Sequence, residues 1–554
     1  MKMFPGMKMA WAVILVLFPV LPLRATIDGT PHDLVATGYG TGNPCRFCHT
    51  PHGAIAGTPL WNHQLSTAVY KIYQSSSLDA KAGQPTGSSK LCLSCHDGTV
   101  ALAETVRSGG ISATMPPRGT NLGTDLSDDH PISFAYSASL AAQDVQLRAP
   151  EALPGHLRLD QAQELQCSTC HNPHDNTFGK FLTMSNLRSQ MCTTCHNLNG
   201  WTTSAHTNSP ASSRTANDAY LSARSEYGTV ADNGCLSCHR PHAAGGHERL
   251  LHFANLEDNC LNCHNGSVAH TNLNLLTSKA SAHSSRHNAG IHDPRELPAS
   301  APMHVECVDC HNPHALQATP GIVPGQLSGA FRGVSGVTIT GSLIPQAQNS
   351  YEICFKCHAD NPGRPQSPIT RKITQTNTRL EFDPANPSFH PVVTAGKNLS
   401  VPSLVPGLTI TSQITCTDCH STNNPALGRG PHGSDFAPLL AYRYETEDGT
   451  HESNLAYELC YRCHSRNSIL SENRSFTKHK KHLEKGATCS ACHDPHGINA
   501  SQGTALNNSH LINFDMGLVS ADPRTGRLEY VDRGAAHGSC TLLCHGKIHS
   551  PLSY

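Results

Sequence analysis

Residues 45–52 read Cys45-Arg46-Phe47-Cys48-His49-Thr50-Pro51-His52, and the reading of the whole chain turns on this stretch. Two cysteines stand three apart, a histidine follows the second at once, and a Pro-His pair closes the segment. The Cys-x-x-Cys-His part recurs at Cys92/Cys95/His96, Cys167/Cys170/His171, Cys192/Cys195/His196, Cys235/Cys238/His239 and Cys260/Cys263/His264. It appears again at Cys307/Cys310/His311, Cys354/Cys357/His358, Cys416/Cys419/His420, Cys460/Cys463/His464 and Cys489/Cys492/His493. A twelfth copy is stretched by one residue, Cys540-Thr541-Leu542-Leu543-Cys544-His545. Together the twelve pairs use all 24 cysteines of the 554-residue chain.

Three chemistries use paired cysteines: a disulfide scaffold, a zinc site and covalent haem attachment. The histidine decides among them. At an overall frequency of 37 in 554, twelve placements directly after the second cysteine have chance odds on the order of 10⁻¹⁴. A disulfide has no use for that histidine. Zinc wants separated ligand pairs that converge on one ion. In haem attachment each residue has a task. The two thiols add to the porphyrin vinyl groups as thioethers, and the adjacent imidazole lies under the iron as proximal ligand. The motifs therefore predict twelve covalently bound haems c.

Composition agrees. Apolar residues are 38%, aromatic residues 5% and charged residues 15% of the chain, with 44 Gly and 37 Pro. Such a chain cannot fill a large conventional core, so haem faces must supply apolar surface. The 40 basic residues face 41 acidic ones, which excludes a nucleic-acid binder driven by bulk charge. Residues 1–25 read as a cleaved signal peptide. Lys2 and Lys8 precede the apolar run Met9–Leu23, and Leu23-Arg24-Ala25 offers a cleavage point. The run holds Pro19 and Pro22 and falls short of the about 20 residues a membrane span needs. No later stretch reads as transmembrane. The expectation is an exported chain of formal charge −4 after cleavage, since the leader takes with it Lys2, Lys8 and Arg24 of a chain at −1.

Axial ligands set the properties of each iron. Beyond the leader the chain has only Met115, Met184, Met191, Met303 and Met516, whereas 25 histidines remain outside the motifs. Bis-histidine, low-spin ligation is the economical reading. An x-Pro-His tail follows five odd-numbered motifs and supplies His52, His174, His242, His314 and His496. The ninth motif has Gly-Pro-His432 a little further on. A short Pro-bearing link cannot fold back onto its own iron, so these histidines are expected to reach a neighbouring haem. The further distal candidates are His32, His130, His206, His287, His304 and His390. His63, His292, His482, His510, His537 and His549 are reserves. No catalytic residue is singled out.

The alternation of motifs with and without Pro-His divides the chain into six units of two motifs: 26–150, 151–222, 223–295, 296–400, 401–470 and 471–554. The segments between motifs are rich in Ser, Thr, Asn, Gly and Pro, which favours turns and loops. The expected fold is that of a multihaem cytochrome c: mostly irregular, with short helices near motifs and few short strands, organised around stacked haems. The best free-standing helix candidate is Leu157–Leu165. Possible strands are Gly336–Ile344 and Leu404–Thr415.

The recurring CRFCHTPH, CSTCHNPH, CLSCHRPH, CVDCHNPH and CSACHDPH resemble the doubled-CxxCH multihaem c-type cytochromes. PLWNHQLS, LCLSCHDGTVAL and NLGTDLSDDHPISF look like exported cytochromes of metal-respiring bacteria. The resemblance covers residues 26–554. It departs from the family pattern at the missing immediate Pro-His after Cys416 and at the extra residue after Cys540. It implies respiratory electron transfer in the periplasm or at the outer surface, with other cytochromes or an outer-membrane conduit as partners. A reductase with one open haem and a subunit of a polymeric cytochrome filament are the alternatives. All twelve motifs keep their histidine, which favours an electron carrier over an enzyme.

Overall fold

Irregular backbone dominates the chain, as its Gly, Pro and Ser content requires. The computed structural model describes residues 27–106, 113–117, 119–284, 296–302, 304–318, 326–471 and 476–554. The expected signal peptide at 1–25, His287, His292 and Met303 lie outside them. The described residues contain no helix long and apolar enough to cross a membrane. Two compact units are present. One comprises Met1–Ala68, Pro85–Gly123 and Gly155–Ser185 and carries the first three motifs. The other comprises Val69–Gln84, Thr124–Pro154 and Asn186–Tyr554 and carries the remaining nine.

The expected fold class is what the structure has: loops, short helices and small strands. Two of the longer helices, Gly87–His96 and Ser350–His358, each end on a motif histidine. Other motifs occupy single turns such as Cys167–Cys170, Cys307–Cys310, Cys416–Cys419 and Cys489–Cys492. Most strands are two residues long. The exception is a sheet near the C-terminus, where the central strand Gly538–Cys544 pairs antiparallel with Val519–Ser520, Glu529–Asp532 and Lys547–Ser553.

Apolar side chains gather in several small clusters. One holds Val337, Phe355, Ala359, Phe382, Phe389 and Val392. Another holds Phe514, Val519, Tyr530 and Leu542, and a third Ala456, Tyr457 and Leu483. Cysteines of the motifs pack at their edges: Cys416 on the first, Cys492, Cys540 and Cys544 on the second, and Cys460 and Cys489 on the third.

Three local expectations need correction. Residues 157–165 form turns ending in the strand Glu164–Leu165 rather than a helix. The Asp160 carboxylate accepts the backbone N–H groups of Ala162 and Glu164, a local alternative to helical bonding. Residues 404–415 form turns, with Leu404 bridging His464. Gly407 lies at φ 97°, and the Ser412 hydroxyl accepts the Thr409 N–H, so neither end extends. Within 336–344 the strand folds on itself, Gly336–Val337 pairing antiparallel with Leu343–Ile344.

Candidate haem-binding sites

The Cys-x-x-Cys turn is capped from inside the motif. In Gln166-Cys-Ser-Thr-Cys the Thr169 hydroxyl accepts the Gln166 N–H at 3.0 Å. Asp309 does the same for Glu306 at 2.7 Å, and Asp418 for Thr415 at 2.6 Å. Such reciprocal caps satisfy donors that a four-residue helix would otherwise waste. The histidine then leaves the turn extended, at φ −119°, ψ 136° for His171 and φ −128°, ψ 128° for His311. The proline two residues later favours extended backbone before it, so the Pro-His tail is carried away from its own motif.

A second device fixes the motif imidazole. In five odd-numbered motifs the histidine forms a β-bridge to a returning segment: His49 to Trp61, His171 to Leu182, His239 to Leu251, His420 to Leu440 and His493 to Ile512. The residue two before each bridge partner lends its carbonyl to the histidine Nδ1. The distances are 2.9 Å to Pro59, 2.9 Å to Lys180, 2.8 Å to Arg249, 3.1 Å to Pro438 and 2.8 Å to His510. Between the two sits a bulky residue in the left-handed region: Leu60 (φ 53°), Phe181 (55°), Leu250 (53°), Leu439 (56°) and Leu511 (63°). Such residues rarely adopt that conformation, and each costs of order 1–3 kcal/mol. Five repeats of the same strain mark a local demand, which is to aim a carbonyl at Nδ1 and leave Nε2 for another partner. The x-Leu/Phe-hydrophobic tripeptide 10 to 20 residues after the motif is the sequence signal for it, and reading motifs alone misses it.

The histidines meet in pairs. In the first unit His49 faces His174 and His96 faces His32, with ring centres 6.0 and 6.2 Å apart. In the second unit the partners of odd-numbered motifs are His239 with His314 (6.2 Å), His311 with His432 (6.1 Å), His420 with His496 (6.0 Å) and His493 with His479 (6.2 Å). Even-numbered motifs pair His196 with His130 (6.4 Å), His264 with His206 (6.3 Å), His358 with His283 (6.2 Å) and His464 with His390 (6.4 Å). An eleventh pair, His482 with His549 at 6.2 Å, contains no motif histidine.

The spacing is diagnostic. Two metal–imidazole bonds of about 2.0–2.1 Å, with about 1.1 Å from each nitrogen to its ring centre, put the centres about 6.2–6.4 Å apart. These residues therefore fit an iron held between two imidazoles. Most partner rings are also turned by Nδ1. His32 contacts the Pro173 carbonyl at 3.2 Å, His206 the Pro313 carbonyl at 3.1 Å, and His390 the Pro495 carbonyl. The Nδ1 of His496 donates to the Glu381 carboxylate at 3.0 Å, the outer-shell arrangement that orients metal-bound histidine, and that of the candidate His242 donates to Asp129 at 2.9 Å.

Pro-His reach has a rule of its own. The tails of motifs 3, 7 and 11 and the later Pro-His of motif 9 meet the motif two earlier, not the one beside them. Among the described residues no paired ring faces exposed His52. His304 has both ring nitrogens engaged, Nδ1 at 2.8 Å from the Pro302 carbonyl and Nε2 at 3.2 Å from Glu296. The reserve His63 is likewise held on both sides, by the Gln64 and Ala101 carbonyls. His283 and His479, absent from the sequence-derived candidates, stand in pairs. His283 lies 75 residues before His358, next to the 58 to 74 that separate the other even-numbered motif histidines from their partners, and that interval was the available signal.

Burial favours the neutral form, the one that binds metal, at several of these imidazoles. It lowers His196, His264, His358, His420, His464 and His493 to about 4. It also lowers His314 to about 3 and His432 to about 4. His496 is the exception. Burial works to lower it, but the Glu381 carboxylate outweighs that and lifts it to about 9.

The thiols neighbour one another in a regular way too. Cys92 lies in hydrogen-bonding reach of Cys167, Cys192 of Cys235, Cys260 of Cys307, Cys354 of Cys416 and Cys460 of Cys489. Each contact joins an even-numbered motif to the next odd-numbered one, and no disulfide joins any of the 24 cysteines. Among the described residues no three or more His, Cys, Asp or Glu converge on a single point, which is not the donor set of a zinc site. In the second unit the motif cysteines and histidines from Cys235 onward line one continuous cavity of about 3870 Å³. A pocket for one drug-sized ligand takes about 300–1,000 Å³, so this space suits several large flat groups in succession.

Two known protein families match parts of the chain. Residues 340–504 match the family described as outer membrane cytochrome MtrC/MtrF-like, domains II/IV. Residues 161–200 and 228–269 match the doubled CXXCH motif family. No curated protein matches the chain. The paired Cys-x-x-Cys-His motifs indicate covalently bound haem c. More particularly, the two matches support a multihaem c-type cytochrome of metal-respiring bacteria, a kind of protein that suggests an electron carrier.

Proposed function

We propose that this protein is an exported dodecahaem cytochrome that carries electrons along a chain of low-spin, bis-histidine haems in respiratory, extracellular electron transfer. The observation that supports the reading best is the recurrence of imidazole pairs at 6.0–6.4 Å. The 24 cysteines are the thioether anchors. The motif histidines from His49 through His493 are the proximal ligands, and the twelfth site is treated below. His32, His130, His174, His206, His283, His314, His390, His432, His479 and His496 are the distal ligands. His52, His242 and His287 remain candidates for the place left over.

Bound haem supplies one-electron chemistry. The chain's own residues set its terms. Two imidazoles would hold each iron six-coordinate, which would leave no open position for a substrate and little change in geometry on reduction. Carbonyls and carboxylates at Nδ1 fix ring orientation and basicity. The contacts between first cysteines of successive motifs keep neighbouring sites close, as transfer requires. The likeness to outer membrane cytochromes supports a place at the outer surface, with other cytochromes or an outer-membrane conduit as redox partners. Residues 1–25 would direct export.

The test is mass spectrometry of the mature protein together with its optical and EPR spectra. Twelve haems, all low-spin in the oxidised state, are expected. A high-spin haem in the untreated protein would move the reading to a reductase with an open iron. A smaller haem count would end it.

A further inference from the structure

The twelfth motif does not behave like the other eleven. Its cysteines lie in the strand Gly538–Cys544, not in a helical turn. Four residues of strand span about 13 Å, against about 4.5 Å for the three residues of a helical Cys-x-x-Cys turn. The turn that tucks a histidine beneath a porphyrin is missing here. His545 enters a left-handed turn instead, at φ 46°. Nine of the other motif histidines spend Nδ1 on a carbonyl or hydroxyl. His545 spends Nε2, the atom an iron would need, on the Asp448 carboxylate at 2.7 Å.

Two residues past the hairpin turn, the strand Lys547–Ser553 carries His549 opposite Leu542. Cross-strand partners share a face of the sheet, and Cys544 shares it too because side chains alternate. His545 lies past the end of the strand, in the turn. His549 meets His482 at 6.2 Å, the spacing found at the ten motif pairs. The Nδ1 of His482 is held by the Lys478 carbonyl at 2.8 Å, which leaves its Nε2 for a metal. His482 and His479 lie three apart on the short helix His479–Glu484, so they share a face, and His479 already meets His493 of the eleventh motif. Phe476 packs on His479, on His482 and on Tyr554 at the end of the strand that bears His549.

We propose that the twelfth iron is bound by His549 and His482, and that His545, the residue of the attachment motif, is not an iron ligand. One short helix then serves the last two haems through His479 and His482. Asp448 holds His545 aside. This inference rests on the reading of the chain as a haem protein.

The experiment uses the full holoprotein. Proteolysis and mass spectrometry of the untreated protein first show whether the peptide bearing Cys540 and Cys544 carries haem. A bare peptide would refute the twelve-haem reading itself. With haem present, His549→Met and His545→Met are compared by EPR and by redox titration. His549→Met is expected to convert one haem in twelve to Met/His ligation with a raised potential. His545→Met is expected to leave ligation and potentials as they were. His549→Ala should give one high-spin haem in twelve. A Met/His signature from His545→Met, or an unchanged spectrum from His549→Met, would overturn the assignment.

Discussion

Gly433 follows the Pro-His of the ninth motif and sits in the pair of strands Ser281–Ala282 and Gly433–Ser434. A Cβ placed there would lie 1.9 Å from the Leu276 carbonyl oxygen and 2.7 Å from its carbon. Ordinary contact begins near 3.4 Å, so Gly433→Ala must push the backbone aside by about 1.5 Å. A metal–ligand distance tolerates only about 0.2 Å. His432 is the next residue and the proposed distal ligand opposite His311, so its imidazole leaves the iron. The outcome expected is one haem in twelve turned high-spin, with the other eleven untouched. The accompanying loss of stability is about 1–3 kcal/mol, as for other overpacked sites. The assay is quantitative EPR of the oxidised protein, with haem content measured by mass. Gly83→Ala is the control, because its added Cβ meets nothing within 4 Å and its φ is unstrained. A fully loaded Gly433→Ala protein that stays entirely low-spin would refute the chain of reasoning from backbone contact to ligation.

Three other outcomes follow from the structure. Phe355 is 1% exposed and central to its apolar cluster, so Phe355→Ala should cost about 3–5 kcal/mol in denaturant unfolding of the holoprotein; a loss under about 1 kcal/mol would show that bound haem rather than this side chain holds the cluster. The Glu452 carboxyl lies below its usual 4.5, first because Arg466 hydrogen-bonds to it, at 2.7 Å from Nε, with Tyr461 adding a donor at 2.8 Å. A depressed carboxyl stabilises the fold above its unfolded value and loses that contribution as pH falls through the folded one. Stability of the untreated protein should therefore decline below about pH 4.5 more steeply than that of Glu452→Gln, and parallel acid limbs in thermal melts would contradict this. Reduction removes one positive charge at each iron beside ionisable propionates, so protons bind the reduced protein more tightly and midpoint potentials should fall as pH rises; a flat redox titration between pH 6 and 8 would rule the coupling out.

The repeated left-handed residues deserve a functional reading of their own. Leu60, Phe181, Leu250, Leu439 and Leu511 each trade backbone strain for a carbonyl aimed at the Nδ1 of a motif histidine. The strain falls on the segment that fixes which nitrogen faces the iron.

The covalent chemistry is written in the sequence alone. A thioether anchor and its proximal histidine need only five contiguous residues, so eleven motifs and their Pro-His tails can be read without coordinates. The loop-rich fold is equally local, since Gly, Pro, Asn and Ser act through their own backbone preferences. The second imidazole is not local. His174 lies 125 residues from His49 and His283 75 from His358, and which histidine arrives depends on how the intervening loops return. Pro-His tails predict that a histidine is carried away but not that it skips a motif. The stretched Cys540 motif looks like its fellows on paper, and only the sheet and its turn bring His545 to Asp448 and His549 to His482.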